Sequence, residues 1–203
     1  TYLYKKIVAM CTLTLEIDKS IFISHLKNVS EIKDAKEYIQ NIKNKYPDAT
    51  HHVSAYIVGK GGEYGHYDDD GEPSGTSGMP IFDCFRKNNL TNVVCVVVRY
   101  FGGIKLGAGG LVRAYSRSAS ENLKQNTIVP IIEYSNLSLT FNYSYLTVIE
   151  NALKNYETIN RTFSTNINLV IKVPTFEVDS VVNNLVSITN NMIQIKIFTK
   201  ENE

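Results

Sequence analysis

An apolar run, Val93-Val-Cys-Val-Val-Val98, passes through Arg99-Tyr-Phe101 into a segment holding five glycines and then into a helical pattern. The run predicts a strand buried on both faces. Leu111, Tyr115, Ser118, Ala119 and Leu123 recur at helical spacing. Between them Gly102, Gly103, Gly107, Gly109 and Gly110 permit positive φ and close approach of a ligand to the backbone. A helix start beside such a loop offers unpaired N–H groups and the positive end of the helix dipole. Lys105 and Arg113 add charge of the same sign, so an anion is the expected guest. The plainer alternative is that tight turns and close helix-to-strand packing demand the glycines by themselves.

A second block, Asp68-Asp-Asp-Gly-Glu-Pro-Ser-Gly-Thr-Ser-Gly-Met-Pro80, concentrates carboxylates, hydroxyls and glycines ahead of an apolar stretch. It reads as an ordered loop entering a helix. Ser74, Thr76 and Ser77 are candidate caps, and the same hydroxyls suit a phosphate or a sugar. Asp68, Asp69, Asp70 and Glu72 would hold a hard cation only if their oxygens converge. Otherwise they cap the helix or pair with Arg99 or Arg113. Neither block carries G-x-x-x-x-G-K-[ST], nor G-x-G-x-x-G followed by a ribose-binding acid.

Together the blocks resemble the IMPACT/YigZ-like family, whose hallmark is D-D-G-E-P-S-G-T-[AS]-G-x-P followed by R-Y-F-G-G-x-K-L-G-x-G-G-L-V-R-A-Y. Asp69 to Pro80 and Arg99 to Tyr115 match these segments. Lys19-Ser-Ile-Phe-Ile-Ser-His25, and Ala49-Thr-His-His52 with Ala55-Tyr56, are similar to further family segments. The resemblance covers roughly the first two-thirds of the chain. It implies an α+β protein: residues 1–132 similar to the second domain of ribosomal protein S5, and residues 133–203 a ferredoxin-like βαββαβ domain resembling the last domain of translocating elongation factors. Eukaryotic relatives regulate translation under stress through partner proteins, and bacterial members have been suggested to bind nucleic acid.

Composition sets further bounds. With 203 residues and 43% hydrophobic content the chain can bury one good core and a smaller one. The apolar runs are too short to span a bilayer, and the N-terminus lacks a signal-peptide pattern, which points to the cytoplasm. Cys11, Cys84 and Cys95 read as reduced thiols in apolar company. No oxyanion arrangement accompanies Cys84, and no metal-ligand spacing accompanies His51 and His52. A net charge of +1 is not that of a strong nucleic-acid binder, but Arg86, Lys87, Arg99, Lys105, Arg113, Arg117 and Lys124 face only Asp83 and Glu121 over the middle of the chain. That predicts a local basic patch and weak, salt-sensitive RNA binding.

The predicted elements begin with strands at 7–17 and 21–29, joined by Asp18-Lys19-Ser20. A helix follows over 31–45, capped by Ser30, then a strand at 53–58 and a loop from Gly61 to Gly78. A short helix at 80–87, the buried strand and a helix after Gly110 complete the first part. The last part alternates as strand 137–141, helix 145–153, strands 158–163 and 167–173, helix 178–188 and strand 192–198. Its many asparagines, among them Asn190 and Asn191, read as a reflection of genome composition rather than of chemistry. Phe101 and Tyr100 can stack on a base, although residues ending a buried strand more often join the core.

Two functional expectations result. The first is a non-catalytic module in translation or stress control that binds RNA, a nucleotide phosphate or a small phosphate ligand, or the ribosome or another translation partner. Its candidate residues are Asp69, Asp70, Glu72, Ser74, Gly75, Thr76, Ser77, Arg99, Tyr100, Gly102, Gly103, Lys105, Gly107, Gly109, Gly110 and Arg113. It needs no cofactor, metal or membrane, and no residue is assigned a catalytic role. The second is a magnesium-dependent phosphoryl-transfer or hydrolytic enzyme in which Lys105 and the helix start cradle phosphate while Asp69, Asp70 or Glu72 holds the ion.

Overall fold

The computed structural model describes residues 4–198. It divides into two compact units, Thr1–Ile131 and Ile132–Glu203. In the first, β1 (Lys5–Ile7) pairs with β7 (Ile128–Pro130), and β2 (Cys11–Ile17), β3 (Ser20–Asn28), β4 (His51–Val58), β5 (Tyr64–Asp68) and β6 (Val93–Tyr100) form an antiparallel sheet in the order β2-β3-β6-β4-β5. The helices are α1 (Ile32–Lys45), α2 (Gly78–Lys87) and α3 (Gly107–Lys124).

The apolar run of β6 is explained by helices on both faces of the sheet. Val93, Cys95 and Val97 join a core with Ile81 and Phe85 of α2 and Leu111, Tyr115 and Ala119 of α3. Val94, Val96 and Val98 pack instead with Ala35, Tyr38 and Ile42 of α1. Successive strand side chains point to opposite faces, so a central strand covered on both sides is apolar at every position. An antiparallel sheet thus carries the pattern usual for parallel ones.

Several local expectations need correction. The 61–78 segment contains β5, whose residues are exposed throughout and so lack an apolar alternation. Ser30 does not cap α1; Glu31 occupies that position with no side-chain bond to the helix. The last major helix of this unit starts at Gly107, not after Gly110. Cys11 is half-buried, whereas Cys84 and Cys95 are buried and burial raises both thiol pKa values, that of Cys95 to about 12.

In the second unit β8 (Tyr134–Phe141), α4 (Leu146–Ala152), β9 (Glu157–Phe163), β10 (Ile167–Pro174), α5 (Val178–Ile188) and β11 (Gln194–Phe198) build an antiparallel sheet in the order β11-β8-β10-β9. One sheet face, with Leu137, Leu139, Phe141, Leu169 and Ile171, packs against Ile149 of α4 and Val181 and Leu185 of α5. Some asparagines have local conformational roles. Asn190 and Asn191 adopt φ of 51° and 64° after α5, a region asparagine tolerates better than most side chains. The Asn142 side chain accepts from the Ser144 N–H at the start of the turn before α4. Among the described residues no helix is long and apolar enough to cross a membrane.

His25 of β3 is 3% exposed, and its Nε2 has no hydrogen-bond partner among the described residues. Burial, and then the Lys45 charge, lower its pKa from 6.5 to about 4. Above pH 6.5 the ring is neutral in folded and unfolded chains alike. As pH falls from 6.5 towards about 4 the unfolded chain takes up the proton and the folded chain does not, so stability declines. Urea unfolding across this window should show a shallower pH dependence for His25→Gln than for wild type; parallel profiles would contradict the buried, uncharged ring.

Candidate functional site

The two sequence blocks meet at a buried ion pair. Glu72, 8% exposed, accepts from Arg99 Nη1 at 2.6 Å and from the Tyr115 hydroxyl at 2.8 Å, both at Oε1. Arg99 Nη2 donates to Ser20 Oγ at 3.3 Å, and the guanidinium lies over the rings of Phe22 and Phe101, with centroids 5.5 and 5.6 Å away. Burial, and then the Glu72 charge, hold the Tyr115 phenol far above its ordinary pKa, so it remains a donor. His51 flanks the cluster: its Nδ1–H donates to the Asp70 carbonyl at 2.7 Å while Nε2 lies 3.7 Å from Glu72 Oε1. Arg99 Nε has no partner among the described residues.

The neighbouring acids also serve the fold. Asp69 Oδ1 accepts from Ser77 N–H at 3.2 Å and Gly78 N–H at 2.8 Å, while Oδ2 accepts from Gly75 N–H at 2.9 Å. One carboxylate thereby stabilises the loop and the start of α2, where a negative charge is favoured. Asp70, at φ 43°, accepts from the His52 N–H at 2.7 Å. These interactions correct the expected caps: the Ser77 side chain makes no capping bond, and Thr76 donates to the Pro73 carbonyl at 2.6 Å. Ser74 is exposed and Gly75 takes φ 78°.

The magnesium arrangement is corrected as well. The carboxylates of Asp69, Asp70 and Glu72 bind protein donors instead of converging on one point. Among the described residues no three His, Cys, Asp or Glu side chains are grouped to hold a metal ion.

The glycines divide by surroundings. A Cβ at Gly102 would coincide with the Lys19 carbonyl, so this glycine serves the close approach of the loop to the β2–β3 turn. At Gly110 it would stand 3.0 Å from Leu106 Cβ. Gly103 and Gly107, at φ 89° and 73°, have nothing within 4 Å of the added atom, and Gly109 meets the Arg113 guanidinium at 3.4 Å. The start of α3 has no side-chain cap. Lys105 and Arg113 are exposed, and no ion-pair partner for either lies among the described residues.

The expected basic patch is therefore smaller. Arg99 is buried and neutralised, and Arg117 pairs with Glu121 at 2.7 Å. Tyr100 packs on the α1 side of the sheet and donates to Asp48 Oδ1 at 3.0 Å, away from the Glu72 cluster. Phe101 is 47% exposed rather than part of the core. Ser20, Phe22 and Tyr115 complete the ion-pair environment and were absent from the candidate set. The available signal was Arg99 itself, since a charge ending a buried strand requires partners.

In this chain an acidic, glycine-rich loop is thus joined by a buried ion pair to a strand–loop–helix; by comparison with known proteins the unit is of the Impact N-terminal domain class. The family model for that domain matches residues 18–123. IMPACT family member YvyE of Bacillus subtilis is 39% identical over 182 residues, covering 89% of this chain and 84% of the relative. IMPACT family member YigZ of Escherichia coli is 37% identical over 147 residues, covering 70% and 71%. A crystal structure described only as that of a hypothetical protein matches with a TM-score of 0.62 and 29% identity over 98% of each chain. The chain belongs to the IMPACT family.

Replacing Asp69 by alanine leaves three N–H groups without their acceptor and should cost about 2 kcal/mol. Gly102→Ala should cost at least as much, because backbone must move to admit the methyl group. Equilibrium unfolding in urea measures both; losses below about 0.5 kcal/mol would contradict these roles.

Proposed function

We propose that this chain is a non-catalytic binding module acting in the cytoplasm, in translation or its control under stress, and that residues 101–113 contact RNA phosphates. The observation carrying this reading is the open start of α3: no side chain caps it, Gly103 and Gly107 leave the backbone uncrowded, and Lys105 and Arg113 are free of ion pairs among the described residues. Arg113 folds back towards Gly109, bringing its charge to the first helical turn. The exposed ring of Phe101, backed by Arg99, supplies a surface on which a base can stack.

Family resemblance supports the translational setting and an S5-like first unit. The order β11-β8-β10-β9 with two helices on one face supports a ferredoxin-like second unit, a further surface for the ribosome or a translation partner. A protein partner at the first unit is favoured by a separate observation: Phe101, Ile104 and Val112 are exposed apolar residues on the same segment.

Fluorescence anisotropy of a short single-stranded RNA tests the reading. Lys105→Ala/Arg113→Ala should weaken binding and make the log–log salt slope shallower by about 0.7 per lost phosphate contact. Equal binding by both proteins, or by neither, would remove RNA from this segment.

A further inference from the structure

Four strands lie at the edges of the two larger sheets, β2 and β5 in the first unit and β9 and β11 in the second. An edge presents unpaired N–H and C=O groups, which proteins blunt with bulges, short strands or charged side chains. β9 carries a bulge opposite Val170 and Ile171, and the Asn160 side chain takes its Arg161 N–H at 2.8 Å. β11 is short and carries Lys196, and β5 is short with Gly65 inside it. β2 has none of these devices: it pairs with β3 from Cys11 to Ile17 without a register shift and holds no Lys, Arg, Pro or Gly.

The β2–β3 turn fixes which groups of β2 face outward. Asp18 and Lys19, at φ 47° and 63°, form a two-residue turn whose flanking residues, Ile17 and Ser20, exchange both main-chain hydrogen bonds. Bonded and non-bonded pairs alternate from there, so Thr12, Thr14 and Glu16 turn their N–H and C=O groups away from β3. The 3.3 Å contact between the Thr12 hydroxyl and His25 Nδ1 agrees, because non-bonded pairs bring their side chains closer. Among the described residues nothing meets the main chain of Thr14 or Glu16 on that side, and the Thr12 carbonyl has only Gln125 Nε2 at 3.4 Å. Thr12, Thr14 and Glu16 are exposed, and Cys11, Leu13, Leu15 and Ile17 on the opposite face are only half-buried.

We propose that β2 pairs antiparallel with β2 of a second copy of this chain, joining two five-stranded sheets into one. About a two-fold axis at Thr14, Leu13 faces Leu15 of the second copy and Cys11 faces Ile17, so the half-buried apolar side chains cover one another. On the other face Thr14 meets Thr14 and Thr12 meets Glu16, with no like charges opposed. An axis through a residue preserves both alternations of a strand, so apolar faces apolar and every outward N–H finds an outward C=O. A two-fold interface requires this self-complementarity, which an unrelated strand has no reason to share. The pairing replaces the long Gln125 contact on Thr12 and does not depend on RNA binding at α3.

Sedimentation equilibrium of the full chain tests the pairing, with an expected monomer–dimer Kd on the order of 10 μM. Thr14 is exposed and its N–H points away from β3, so substitutions there should leave the monomer folded, as circular dichroism of dilute samples checks. Thr14→Pro removes the central donor and should weaken association at least about tenfold. Thr14→Lys and Thr14→Glu each place like charges opposite one another and should weaken it to a similar degree, whereas an equimolar mixture of the two should associate again as a heterodimer. A wild type that stays monomeric to about 500 μM, association of Thr14→Pro or Thr14→Lys equal to wild type, or a Lys/Glu mixture no more associated than its components would overturn the proposal.

Discussion

Glu72 and Arg99 form the interaction through which the rest of the first unit is organised. Taking two charges out of water is costly, and that cost is offset only where both are well partnered. Here the pair is supported by the Tyr115 hydroxyl, the Ser20 hydroxyl and two aromatic faces. Those groups come from the acidic loop, the end of β6, the body of α3 and the start of β3. One buried pair thereby ties four segments together, and two blocks separated in sequence become a single structural unit.

Asp69 extends the same unit by holding the start of α2, and Gly102 lets the loop after β6 lie on the β2–β3 turn. Most of the motif is thus explained by folding. What folding leaves over is the opening of α3, where Gly103 and Gly107 are uncrowded and two cations extend to solvent. The functional reading rests on that remainder, because groups already satisfied within the protein have little left to offer a ligand.

Elements that bury a regular face were legible in the sequence. The β6 run, the α1 periodicity and α5 all show their burial as composition, and the glycine-rich segment follows β6 as expected. β5 was hidden because Tyr64-Gly-His-Tyr-Asp68 buries neither face. The α2 cap was legible in kind, since the acids of the 68–72 block were expected to cap the helix if they held no cation; that Asp69, nine residues before Gly78, does so instead of the adjacent hydroxyls depends on how the loop folds back. The site was half legible: a pair between an acid of the 68–72 block and Arg99 or Arg113 was among the expectations, but that Glu72 and Arg99 form it depends on tertiary packing. Tyr115 looked like any core aromatic in a helix, since only the fold reveals where its hydroxyl lies.

A double-mutant cycle on Glu72→Gln and Arg99→Met, read by urea unfolding, tests most directly whether this pair organises the unit. The account predicts that each single change is strongly destabilising and that the double variant loses less than their sum, with a coupling of about 2 kcal/mol. Additivity within about 0.5 kcal/mol would contradict it and make the two residues independent occupants of the core.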